Sequence, residues 1–383
     1  GTVRLSIEGV VADLVALEGV EFNGVLAGPE ISRALERLAL PPFAKGAFEL
    51  TANIQQLDSG HQLRLDGNLG DIDVFVSGNF DQLLLPQQVA HDFSIAGPDA
   101  HFVAELFGFD NFPAAPFQIS GDYTRSGLEL TFTNTTLNVG DYSVLFSGDI
   151  DLSERVPDLD LQLSASGPDF SLIGPFVDVA GLPQQPFTIT GRVQKEISTW
   201  LADGVDIAVG ENRLTVNGEL ETGSRGTTQI DIRATGPDIS FVEEFTKLEG
   251  IPRRPFDVSA TIRPDPLGIQ VDNGIGLFGD NRIGIDGVIA LQPGLDGSVL
   301  EVELRGPELR NLRLLAGVPN LPGGSFDVAG RVAFLGDIVR LQGVEAEVGE
   351  LQATASGDVF MAGVDAGDFD LQVSASGPDV LLL

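Results

Sequence analysis

Three histidines, His61, His91 and His101, are the only imidazoles in the chain, and cysteine is absent. The three stand in different segments with no i, i+4 pair among them, the spacing that places two ligands on one helix face. They are expected to be ordinary surface or partly buried histidines, with no metal and no cofactor. Carboxylate pairs such as Asp158 and Asp160 have the right chemistry for acid–base work. They sit, however, on every second position of Asp158-Leu159-Asp160-Leu161-Gln162-Leu163, which reads as the wet side of a strand. A Gly/Asp-rich stretch, Asp272-Asn273-Gly274 through Gly279-Asp280-Asn281 to Asp286-Gly287, loosely resembles a calcium-binding repeat. It occurs in one unit only and is read as hairpin turns. No nucleophile elbow, phosphate loop or dinucleotide fingerprint stands in its required context. No catalytic residue is expected, and the chain reads as non-enzymatic.

What the chain has instead is a period. Gly-Pro-Asp or Gly-Pro-Glu begins at Gly28, Gly97, Gly167, Gly236, Gly306 and Gly377, in steps of 69, 70, 69, 70 and 71 residues. A phenylalanine stands twenty positions after each of the first five glycines: Phe48, Phe117, Phe187, Phe256 and Phe326. A Gly-Asp or Gly-Glu step recurs at Gly70, Gly140, Gly210, Gly279 and Gly349. Another glycine follows each, eight residues on, at Gly78, Gly148, Gly218, Gly287 and Gly357. Such self-similarity marks a repeat array. The boundaries are a partial repeat at 1–27, full repeats at 28–96, 97–166, 167–235, 236–305 and 306–376, and the start of another at 377–383. The chain is therefore expected to be an excerpt of a longer array.

Within residues 97–166, Asp99 is a good N-cap, and Phe102, Val103, Leu106 and Phe107 share one helical face. A short helix of about ten residues per repeat is expected, ended by Pro113, Pro183, Pro252 or Pro322, with Asp99, Asp169 and Asp238 as caps. The rest reads as four antiparallel strands: from Phe117, from Leu128, from Tyr142 after the Gly140-Asp141 turn, and Asp158–Ser166. Period-two alternation gives each strand one oily and one wet face. Leu128, Leu130, Phe132, Leu159, Leu161, Leu163, Ile230, Ile232, Phe369, Leu371 and Val373 are placed on the oily face. Asp158, Asp160, Asp231 and Asp370 are placed in water.

Four strands at ~4.8 Å spacing make an apolar face roughly 19 Å wide, whereas one helix is about 10 Å across. Half of that face needs another cover: a curl of the sheet, a second sheet, or a ligand. Twenty-two such strands would form a ribbon on the order of 100 Å long. A curled sheet with an oily lining is a trough, and acyl chains suit it because apolar burial is non-directional.

The hydrophobic fraction of 43% excludes disorder by composition. No run approaches the ~18 apolar residues of a membrane span. A net charge of −34, from 56 acidic against 22 basic residues, repels nucleic-acid backbones and anionic membrane surfaces. It is read as a solvated acidic face that keeps an apolar-rich array soluble.

The order Gly167-Pro168-Asp169-Phe170-Ser171-Leu172, Gly181-Leu182-Pro183-Gln184-Gln185-Pro186-Phe187 and Val216-Asn217-Gly218, repeated in register, resembles the AsmA-like proteins of Gram-negative bacteria, relatives of TamB and YhdP. That resemblance spans essentially the whole chain. It implies a mostly β, taco-like groove in a periplasmic protein anchored in the inner membrane. It also implies phospholipid transport between inner and outer membranes and support of outer-membrane biogenesis. Phospholipid acyl chains are then the expected partners, with the membranes reached through regions outside this segment and no nucleic acid. Two other functions fit the same repeats: a structural or adhesive rod with a closed core, and a chaperone-like groove for strands of outer-membrane proteins.

Overall fold

The structure is a computed structural model. It describes residues 3–13, 18–32, 45–84, 86–101, 114–153, 157–174, 182–197, 199–221, 228–242, 253–292, 295–312, 323–360 and 368–377. The chain divides into two units, Gly1–Ser198 and Thr199–Leu383, each built from antiparallel strands paired in chain order.

In the first unit, β1 (Arg4–Val10) and β2 (Glu21–Gly28) precede β3 (Phe48–Gln56), β4 (His61–Leu69), β5 (Ile72–Phe80) and β6 (Gln88–Gly97). Then come β7 (Phe117–Ser126), β8 (Glu129–Val139), β9 (Tyr142–Asp151), β10 (Asp158–Gly167) and β11 (Phe187–Glu196). The second unit opens with β12 (Thr199–Val209), β13 (Asn212–Glu221) and β14 (Gln229–Gly236). It continues through β15 (Phe256–Asp265), β16 (Gly268–Phe278), β17 (Asn281–Ala290) and β18 (Val299–Gly306). It ends with β19 (Phe326–Leu335), β20 (Ile338–Val348), β21 (Leu351–Phe360) and β22 (Phe369–Ser376). The mostly β, antiparallel repeat architecture expected from the alternation is what the chain forms.

The expected helix in each repeat finds no support among the described residues. After Asp169 they hold one 3-10 turn, Phe170–Ile173, with equivalents at Ile239–Val242 and Leu309–Leu312. Phe102, Val103, Leu106, Phe107 and most of each proposed helix lie outside the described residues. The caps themselves are formed. Asp169, Asp238 and Asp99 accept hydrogen bonds from the backbone N–H two residues on, in Ser171 (2.9 Å), Ser240 (2.9 Å) and His101 (3.0 Å).

Strand turns follow from glycine. Gly70, Gly140, Gly210, Gly279 and Gly349 open two-residue hairpin loops with φ between 54° and 64°. The acidic residue after each keeps a negative φ, the pattern of a turn that needs glycine at its first position.

A recurrent group of buried side chains lies at the strand ends beside the Gly-Pro connections. Phe48, Phe117, Phe187, Phe256 and Phe326 are each the first residue of a strand and are all buried. Each pairs with the glycine of the preceding Gly-Pro step, as Gly97 does with Phe117 and Gly236 with Phe256. In the first unit Ile31, Ile72, Ala100 and Val139 complete this cluster. Burying a phenylalanine side chain contributes roughly 1.5–3 kcal/mol, so the repeat is fastened here.

Candidate functional site: the apolar face

Away from that fastened end, pairing brings the apolar side chains into cross-strand rows. In the first unit one row runs Ile54, Leu63, Gly78, His91, Tyr123, Phe132, Gly148, Leu161 and Val193, one residue from each of β3 to β11. In the second, a row runs from Gly218 and Ile230 through Ile262, Val271, Gly287, Leu300, Val332 and Leu341 to Gly357 and Leu371. These side chains are mostly half-buried: Leu130, Phe132, Leu159, Leu161, Leu163, Ile230, Ile232 and Leu371 all keep contact with solvent.

Ten of the eleven residues placed on the oily face therefore stand on it. Leu128 does not: it lies in the turn before β8, 53% exposed, where its carbonyl accepts from the Leu152 N–H. The hairpin loop interrupts the alternation there, so the pattern of β8 does not extend back to this residue. Phe369 and Val373 share the face of Leu371 but are 70% and 63% exposed, because β22 has a described neighbour only on the β21 side.

A line of bulges, termed the crease, crosses these rows, and strand alternation alone does not reveal it. The second strand of each of the last four repeats carries a bulge, at Phe132/Thr135, Ala202/Val205, Val271/Gly274 and Leu341/Val344. One residue in each bulge has a positive φ: Asn134 (48°), Gly204 (59°), Asn273 (52°) and Gly343 (56°). Its N–H donates to a side chain one position before the third-strand glycine: Ser147, Asn217, Asp286 or Ser356. That glycine is confined by backbone. A Cβ on Gly148 would meet the Asp160 carbonyl oxygen, and one on Gly357 that of Asp370, both at 2.0 Å. Bulges and in-strand glycines are the devices by which sheets are bent. The signal in the sequence is a fixed period of Asn or Gly before Ser, Asn or Asp followed by Gly. Asp272-Asn273-Gly274 is such a bulge rather than a hairpin turn, and Asp286-Gly287 lies within β17.

The opposite face is charged. Asp160 accepts from Arg192 Nε (2.6 Å) and Gln194 Nε2 (2.9 Å), and Arg340 grips Asp358 at 2.7 and 2.9 Å. Arg233 does the same to Asp257, at 3.0 and 2.7 Å. The arginine hydrogen bond holds each of these three carboxyls below its ordinary range. Exposed pairs of this kind contribute about 0–1 kcal/mol each and chiefly mark the wet side. Asp231 accepts from Thr261 Oγ1 on the same side, where Asp370 is exposed.

Two of the three histidines, expected at the surface or partly buried, are more deeply buried than that. His61 and His91 both stand on the apolar face, each 8% exposed. His61 stacks on Phe80 with ring centroids 5.3 Å apart. His91 Nδ1 lies 3.2 Å from Tyr123 Oη, while its Nε2 and both His61 nitrogens are buried without a hydrogen-bond partner. Burial lowers the His91 pKa against an opposing pull from Asp92, and burial raises that of Tyr123. Among the described residues, no three His, Cys, Asp or Glu side chains converge as a metal site would need. No helix there is long and apolar enough to cross a membrane.

No protein-family model, curated protein or solved structure matches this chain.

Proposed function

We propose that the chain is a non-enzymatic lipid conduit whose apolar face holds phospholipid acyl chains. The observation that carries this reading is the pair of continuous cross-strand rows, apolar along nearly their whole length and half-exposed. Each buried methylene contributes about 0.8 kcal/mol wherever it lies. An acyl chain on a uniformly apolar row therefore keeps nearly the same energy as it slides, which suits passage rather than tight binding. The half exposure supports a lining over a dry core, as a closed rod would need these side chains covered. The crease supports a bent, lipid-embracing sheet.

The Gly-Pro-Asp repeats resemble those of envelope proteins that span the periplasm, and periplasmic transport between inner and outer membranes is the setting that we propose. The acidic face would keep such a surface in water. Native mass spectrometry of the purified chain tests the reading. Mass additions that match phospholipids, removed by organic extraction, are expected. A chain that carries no lipid and takes none up from vesicles would contradict it.

A further inference from the structure

Charge is distributed unevenly between the two faces. At the strand positions of the apolar face in both units there is no carboxylate, in a chain with 56 acidic residues. The only charged side chains there are Arg125 and Lys195, both in the first unit. Arg125 pairs with Val89 and Leu130, so apolar residues flank it on both neighbouring strands. It is half-buried, its Nε donates to the Gly127 carbonyl oxygen (2.8 Å), and it makes no ion pair among the described residues. A guanidinium stays protonated at any physiological pH, so the face carries a permanent positive charge here. Half-burying a charge without a counter-charge is costly, and an anion that arrives with an apolar body offsets that cost.

Polar atoms gather beside it. Tyr123 lies two residues away on the same face of β7, with its hydroxyl against His91 Nδ1 at 3.2 Å. When Tyr123 donates to Nδ1, the imidazole proton sits on Nε2, a buried donor with no partner. Leading away is an aromatic track: Tyr123 to Phe132 with centroids 6.3 Å apart, then Phe132 to Phe146 at 5.7 Å. The second unit's apolar face has neither a histidine nor a charge at its strand positions, so nothing like this cluster recurs there.

We propose that Arg125, Tyr123 and His91 form a station for the anionic head of an acyl lipid, a carboxylate or a phosphate, with the acyl chain along Phe132 and Phe146. It rests on the lipid-conduit reading and refines it: the conduit selects anionic amphiphiles at one point in the first unit. Arg125 supplies the charge and the paired donors that fit an oxyanion. The His91 Nε2–H supplies a further hydrogen bond, and the Tyr123 hydroxyl, donating to Nδ1, holds the tautomer that makes it a donor.

The test is equilibrium binding of three pyrene-labelled probes to the full chain: a long-chain fatty acid, its methyl ester, and phosphatidylglycerol. The acid and phosphatidylglycerol should bind about tenfold more tightly than the ester, the size of one charge-assisted hydrogen bond. Arg125→Gln and Tyr123→Phe should each narrow that gap, and Arg125→Lys should retain part of it. Arg64→Gln, on the wet face over the Phe75 ring, should leave it intact. Preference for the acid alone would assign the station to carboxylates, and preference for both to any anionic head. Equal affinity for acid and ester would overturn the station but leave the conduit standing. Absence of binding by all three would overturn both.

Discussion

Phe117 pairs with Gly97 across β6 and β7, and its ring covers that glycine so closely that a methyl group there would stand 2.6 Å from the ring edge. Phe48 covers Gly28 and Phe326 covers Gly306 at the same distance, and Phe256 covers Gly236 at 2.5 Å. Two landmarks of the repeat, twenty residues apart, are thus one feature: an aromatic ring closing over a strand glycine. Gly97→Ala should cost about 1–3 kcal/mol by overpacking, and Phe117→Ala about 3–5 kcal/mol. Combined, they should cost clearly less than their sum, because the ring that clashes has gone. Urea denaturation of the two single variants and the double variant measures this, and strict additivity would refute the contact.

The crease predicts a contrast between two glycines of one repeat. Gly343 has φ 56° with nothing within 4 Å of where a methyl group would stand, so Gly343→Ala should cost only the left-handed backbone penalty, roughly 1–2 kcal/mol. At Gly357 a Cβ would stand 2.0 Å from the Asp370 carbonyl oxygen, and Gly357→Ala should cost more than about 3 kcal/mol or detach β22. Hydrogen exchange along β21 and β22 reads this directly, and equal protection in the two variants would count against the crease.

Burial holds the His91 pKa below the ordinary imidazole value of 6.5. Below that value the unfolded chain binds the proton more readily than the folded one, so stability falls as pH drops through 6.5 and is fully present above it. His91→Phe should flatten this part of the stability profile. Urea midpoints at pH 5.5 and 7.5 compare the two proteins, and an unchanged slope in the variant would exclude His91 as its source.

Asp160 behaves with the opposite chemistry and a lower window. Its carboxyl is held below the ordinary value of 3.8 by the Arg192 hydrogen bond, so its contribution is present above that value and fades as pH falls through the folded-state value. Asp160→Asn should therefore lower stability slightly at neutral pH, by at most about 1 kcal/mol for so exposed a pair, and hardly at all near pH 2. A loss of equal size at both pH values would contradict the pairing.

Much of this architecture is legible in the sequence because it is local and repeated. Alternation in Asp158–Gly167 names the faces unaided, and Gly140-Asp141 names a hairpin because glycine readily tolerates its φ of 54°. The caps at Asp99, Asp169 and Asp238 are legible for the same reason, since each bond spans two residues. The bulges are not: Asn134 becomes the extra residue only once β7 and β9 are paired on either side of it, and pairing is not local. The face of His61 and His91 is local and legible, since His61 alternates with Leu63 and Leu65, and His91 with Val89, Phe93 and Ile95. The rings that cover them, Phe80 and Tyr123, come from neighbouring strands and are not.

In the lipid-conduit reading the row through Leu161 touches acyl chains, while its neighbours one residue away face water. Leu161 pairs with Gly148 and Val193, whereas Gln162 is exposed and pairs with Ser147 and Arg192. A photo-crosslinking amino acid at position 161, irradiated in cells or with phospholipid vesicles, should capture phospholipid, and the same group at position 162 should not. Leu161→Asp, which places an unpaired charge on the face at a cost of several kcal/mol, should abolish capture at a second reporter placed at Leu130. Equal labelling at 161 and 162, or none at 161 in a folded protein, would contradict the account.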